Sequence, residues 1–102
     1  MRILIAEDDA LLREGLTLLL RAESHDVVGA VGTADEFLAV LDAAAPDVAI
    51  VDVRMPPTWS DEGIRAAAEA RRRIPGLAVM VLSASVEQAF ATELLGLSLI
   101  HI

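Results

Sequence analysis

Four apolar runs, at residues 3–6, 27–31, 48–51 and 78–82, set the strongest limit on what this 102-residue chain can fold into. Each run is continuous rather than alternating, the pattern of parallel strands covered on both faces. Segments with helical spacing separate them. After Asp9, residues Leu12, Leu16 and Leu19 recur on one helical face, and Leu11 and Leu18 widen that stripe. Thr33-Ala34-Asp35-Glu36 reads as a capping box, hydroxyl and carboxylate satisfying exposed N–H groups reciprocally. Phe37 and Leu41 then share a face, and Pro46 lies just beyond that helix. A third helix is expected from near Asp61, its cap, through the Ala-rich stretch 64–70 to just before Pro75-Gly76. A fourth is expected from Ser85, with Gln88 completing a capping box and Gly96 as its stop. Strands alternating with helices in this order imply an α/β domain, a parallel sheet with helices on both faces and right-handed connections.

Composition narrows the function. The chain is 55% hydrophobic but only 3% aromatic, so its core must be aliphatic. Sixteen acids against eight bases leave a net charge of −8, which disfavours direct nucleic-acid binding by this fragment. All eight bases are arginine; there is no lysine. Without cysteine there is no disulfide framework and no thiolate metal site, consistent with a reducing compartment. No apolar run is long enough to span a bilayer and residues 1–3 lead straight into a strand, so no membrane association is expected and the localisation is read as cytoplasmic.

The polar residues that interrupt this pattern fall at strand ends. The first run ends in Glu7-Asp8-Asp9, the third in Asp52 and the fourth in Ser83-Ala84-Ser85. In open α/β sheets, ligands bind beyond the carboxyl ends of the strands at the topological switch point. If the first and third strands are neighbours, Glu7, Asp8 and Asp52 converge there. Close carboxylates repel, and burial penalises each ionised form. A divalent cation resolves both costs, and an all-oxygen site with an open rim suits Mg²⁺ in the presence of a phosphate. A carboxylate beside such a cation can attack phosphorus to give an aspartyl phosphate. The plainer alternatives are a helix start for the 7–9 acids, a loop cap for Asp52 and an ordinary turn residue for Ser83. The coincidence of all of them at strand ends favours the site.

Three stretches in order, ILIAEDDALLREGL, PDVAIVDVRMPP and VMVLSASVE, resemble the receiver domain of bacterial two-component response regulators, from residue 2 to about 95. That resemblance implies a flavodoxin-like doubly wound sheet of strand order 2-1-3-4-5. It also implies phosphoryl acceptance from a sensor histidine kinase with Mg²⁺. On this pattern Asp52 matches the phosphoacceptor and a metal ligand, Asp8 the acidic metal ligand, and Glu7 the neighbouring acid. Arg54 sits where a backbone carbonyl meets the metal. Ser83, with Ala84, matches the switch position contacting the phosphoryl group, and Pro56 shapes the loop. VRMPP, DEG and ATELL resemble receivers joined to a helix-turn-helix DNA-binding domain, implying a transcriptional output in the parent protein. A homodimer is a further possibility.

Some features depart from the family. The loop 55–63 is long, and Trp59 in it is expected to be a partly exposed aromatic. Arg71-Arg72-Arg73 is expected to be the solvated end of the third helix. His25 is read as a surface loop residue. The family continues into a fifth strand bearing a lysine and a fifth helix, whereas here the resemblance fades near Leu95. Leu97-Ser98-Leu99-Ile100-His101-Ile102 is what the transposase end of common sequencing-library adapters encodes. Residues 1–96 are therefore expected to be a truncated receiver domain and 97–102 a non-native tail. Loss of a fifth strand and helix would leave the fourth strand as an open edge and part of the first helix uncovered.

Two other functions compete. One is a non-phosphorylated receiver-like interaction or dimerisation module, which Glu7, Asp8, Asp52 and Ser83 oppose and which the missing lysine would favour were the tail 97–102 native. The other is an aspartate-nucleophile phosphohydrolase, which needs a proton donor where Arg54 stands; a guanidinium gives up no proton readily. The chain is therefore not expected to be a turnover enzyme. A nucleotide or flavin binder is weaker, because no glycine-rich loop follows the first strand.

Overall fold

A computed structural model of the chain describes residues 1–56 and 61–82. The elements run β1 (Arg2–Ala6), α1 (Ala10–Ala22), β2 (Asp26–Val31), α2 (Ala34–Ala44), β3 (Val48–Asp52), α3 (Glu62–Arg73) and β4 (Ala78–Leu82). The strands form one parallel sheet in the order β2-β1-β3-β4. This is the doubly wound receiver-type order expected from the sequence, seen over four strands among the described residues. The expected helix from Ser85, the tail 97–102 and Trp59 lie outside them.

The apolar runs are strands because the sheet is sandwiched. On one face α2 and α3 cover Leu4, Ala6, Ala49 and Val51 with Phe37, Leu41, Ala66 and Ala70, all buried. On the other, Leu16 and Leu20 of α1 pack on Ile3, Ile5, Val27, Ile50 and Leu82. Central β1 and β3 are buried on both faces over most of their length, while β2 and β4, on the flanks, are only partly covered. Between Ile3 and Leu4 the β1–β2 register slips by one residue, so that Leu4 pairs with Gly29. A Cβ at Gly29 would stand 2.9 Å from Leu4 Cδ1, so the glycine lets the Leu4 side chain pack closely against the β2 backbone beside this irregularity.

Four local expectations are corrected. Leu11 and Leu18 do not widen the buried stripe of α1: they are 84% and 59% exposed, and the face turned to the sheet is Leu12, Leu16 and Leu20. Seven residues apart, they share a face of their own beside it. Thr33 Oγ1 accepts from the Glu36 N–H at 3.0 Å, but the Glu36 carboxylate meets the Thr33 hydroxyl at 3.1 Å, so the two side chains engage each other. Asp61 occupies the N-cap position of α3 without a side-chain cap bond; its Oδ1 accepts instead from Arg65 Nη2 at 2.7 Å. His25 is half-buried rather than on the surface, its N–H donating to the Leu20 carbonyl at 3.0 Å. The arginine run does end α3, and Arg72 and Arg73 both pair with Glu69.

Candidate functional site

The site forms where β1 and β3 end side by side, the switch point at which the chain passes from one half of the sheet to the other. Ile5 pairs with Ile50 and Ala6 with Val51, so Glu7, just past the end of β1, and Asp52, the last residue of β3, come side by side at the same edge of the sheet. The Glu7 N–H continues the ladder to the Val31 carbonyl at 2.9 Å. On the other side the Val53 N–H donates to the Leu82 carbonyl at 2.7 Å, which ties the tip of β3 to β4. Glu7 and Asp52 are 2% and 6% exposed, and Asp8 is half-buried.

One carboxylate oxygen from each of Glu7, Asp8 and Asp52 lies within 4.8 Å of the others. The third acid of the run does something else: Asp9 caps α1, its Oδ1 accepting from the Leu11 and Leu12 N–H groups at 2.9 and 3.1 Å. The helix-start reading of these acids therefore applies to Asp9, while its two predecessors face Asp52. Glu7 Oε2 accepts from the Asp9 N–H at 3.1 Å, and Asp52 Oδ1 from the Arg54 N–H at 3.3 Å. Backbone donors thus orient two of the three acids. Arg54 itself is exposed, Met55 is fully buried and Pro56 is a half-buried turn residue that closes the bend after Asp52. Ser83 and Ala84 lie outside the described residues.

Three hard oxygen donors around a partly open rim are a donor set that fits Mg²⁺, whose remaining positions are filled by water or a phosphate oxygen. Bound there, the ion would offset the mutual repulsion of these acids and polarise a phosphoryl oxygen.

One residue that the sequence did not single out shapes the site as closely as the acids. Gly63, in the first turn of α3, lies so near the end of β3 that a Cβ there would stand 1.7 Å from the Asp52 carbonyl oxygen and 2.6 Å from its carbon. Its N–H donates to the Val53 carbonyl at 2.9 Å. Only a glycine admits that approach, so α3 is seated directly on the Asp52 peptide. The signal for it was the isolated glycine just inside a helix start, which is otherwise unfavourable.

The model of the response regulator receiver domain matches residues 3–101. The chain belongs to that family. Transcriptional regulatory protein PdtaR of Mycobacterium tuberculosis is 41% identical over 80 residues, 78% of this chain and 38% of that protein. The DNA-binding transcriptional activator DevR/DosR of the same organism is 36% identical over 84 residues, 81% of this chain and 37% of that protein. This receiver chain therefore spans about two fifths of the length of the curated relatives it matches. Among solved structures, the isolated receiver domain of RcsB from Salmonella enterica serovar Typhimurium superposes with a TM-score of 0.73 at 27% identity, over 95% of this chain and 71% of that one. Among the described residues of this receiver, no helix is long and apolar enough to cross a membrane.

Proposed function

We propose that this receiver accepts a phosphoryl group on Asp52 from the phosphohistidine of a sensor histidine kinase, with Mg²⁺ bound by Asp8, Asp52 and the Arg54 backbone carbonyl, and Glu7 beside it. The observation that carries this reading is the meeting of Glu7, Asp8 and Asp52 at the ends of neighbouring β1 and β3. An Asp52 carboxylate oxygen forms the new bond to phosphorus as the bond from phosphorus to the imidazole nitrogen breaks. The electron pair of that bond stays on the nitrogen, which takes up a proton. Burial of Asp52 and its hydrogen bond from the Arg54 N–H hold the attacking oxygen in place and keep bulk water from competing. The product adds charge and strong acceptor oxygens at this edge of the sheet, and Ser83, with Ala84, just after β4 in the sequence, is assigned the contact with them on the family pattern. That the RcsB receiver structure was determined in the presence of phosphomimetic BeF₃⁻ supports this for a similar domain.

The protein is a cytoplasmic signalling module rather than a turnover enzyme, and its output in the parent protein is transcriptional, in keeping with the relatives' printed functions. The test is incubation with a small acyl phosphate with and without Mg²⁺, followed by intact-mass measurement. One phosphoryl group should be taken up, dependent on Mg²⁺ and abolished in Asp52→Asn. No uptake, together with a self-associating protein in sedimentation, would favour the interaction-module reading.

A further inference from the structure

We infer that Arg13 is a positioning residue for the acidic site, a clamp on the peptide between Glu7 and Asp8 that sets how tightly the chain holds Mg²⁺. The inference rests on the metal reading proposed above. Arg13 lies in the first turns of α1, its N–H donating to the Asp9 carbonyl at 2.9 Å. Helical side chains lean toward the helix N-terminus, so its guanidinium returns over the loop that leads into α1. There Nη1 donates to the Glu7 carbonyl oxygen at 2.7 Å.

That carbonyl belongs to the peptide joining two of the three clustered acids. Because the peptide is planar, holding its carbonyl orients the whole peptide plane, which restrains Glu7 ψ and Asp8 φ together and so biases the directions in which the two side chains leave the chain. A single charge-assisted hydrogen bond thereby orients two carboxylates. Two observations show that the guanidinium is seated rather than loose. A Cβ at Gly32, at the turn after β2, would stand 3.1 Å from Arg13 Nη1 and 3.9 Å from the Glu7 carbonyl oxygen, so that turn closes over the contact. Arg13 and Glu7 are each shielded from solvent, partly and almost wholly.

Charge and geometry make opposite predictions here. A guanidinium near a cation site repels the cation, so on charge alone its removal tightens Mg²⁺ binding. If the clamp dominates, its removal leaves the two acids less well oriented and weakens binding. Contacts that orient metal ligands cost roughly 10–100-fold in affinity when lost.

The experiment is calorimetric titration of the full chain with MgCl₂, comparing wild type, Arg13→Met and Arg13→Lys, with thermal unfolding of each. Methionine keeps length and helix propensity while removing the donor. The expected result is a Kd raised about tenfold in the methionine variant. Lysine should recover part of the loss, as a one-point donor that still reaches a carbonyl. Binding equal to or tighter than wild type in Arg13→Met overturns the inference. Should that variant not fold, Arg13→Lys decides alone: several-fold weaker binding at an unchanged melting temperature supports the clamp, and equal binding overturns it. A wild type that gives no Mg²⁺ heat sinks the metal reading itself, a result distinct from a binding wild type whose variants match it.

Discussion

Gly63→Ala is the smallest substitution that tests how closely α3 sits on the end of β3. The added Cβ would lie 1.7 Å from the Asp52 carbonyl oxygen, 2.6 Å from its carbon and 2.8 Å from Val53 Cα. Ordinary contacts need about 3.5 Å, so the helix start and the strand tip must part by nearly 2 Å. Neither side is a flexible side-chain end that can swing away; both are backbone. Overpacking of this kind costs up to about 3 kcal/mol. Parting the elements also loosens the 2.9 Å bond from the Gly63 N–H to the Val53 carbonyl, a further loss of about 1 kcal/mol. Alanine returns about 1 kcal/mol through helix propensity. The net expectation is destabilisation by roughly 3 kcal/mol, or a melting temperature lower by about 15 °C for a domain of this size. Urea unfolding followed by circular dichroism measures it. Gly15→Ala supplies the control: Gly15 also lies in a helix, but nothing stands within 4 Å of its would-be Cβ, so the same substitution should stabilise by up to about 1 kcal/mol. If both variants shift stability in the same direction and by similar amounts, the close seating of α3 on Asp52 is refuted.

Asp9→Ala removes the side-chain cap of α1 and should cost about 1 kcal/mol in urea unfolding while leaving Mg²⁺ heat in calorimetry largely intact, because Asp9 stands outside the carboxylate cluster. Leu11→Glu should change stability by less than about 0.5 kcal/mol, since that side chain is 84% exposed; a large loss would mean that α1 buries a wider face than is seen here. The Arg72 and Arg73 hydrogen bonds hold the Glu69 carboxyl below its ordinary value, with their charges adding to the effect. A carboxyl depressed in the folded state gives stability that is present above its unfolded pKa of about 4.3 and is lost as pH falls through the folded value. Glu69→Gln should therefore lower stability slightly near neutrality and converge with wild type as pH falls below about 4, as a pH series of thermal melts would record; the pair is exposed, so the effect is small.

What the sequence revealed and what it hid divide along a physical line. Strand runs were legible because burial on both faces leaves them uninterrupted, and they ended within a residue of where the apolar letters stop: Val48–Asp52 extends the run 48–51 by the one carboxylate that matters. The convergence of Glu7, Asp8 and Asp52 was legible because side-by-side parallel strands place their C-terminal ends together. The breadth of α1's buried stripe was not. A run of leucines marks a helix that is apolar over a wide arc, but which part of the arc meets the sheet depends on how the helix is docked. Nor was the seating of Gly63, since a close approach of two backbones separated by the turn after β3 leaves no periodic trace. The Arg13 contact belongs to the same class: its partner is a backbone carbonyl, which any residue at position 7 would offer. Asp61 shows a third limit, because a residue type suited to capping was drawn to Arg65 one turn along the helix instead.

The most direct measurement is the position of the phosphoryl group on the chain. After exposure to an acyl phosphate and Mg²⁺, borohydride reduction converts an aspartyl phosphate to homoserine, which peptide mass spectrometry can locate. Homoserine at position 52, absent when Mg²⁺ is withheld, is the result expected if the carboxylate at the tip of β3 is the acceptor. Homoserine at position 8 or 9, or none anywhere while Mg²⁺ binds, would contradict it.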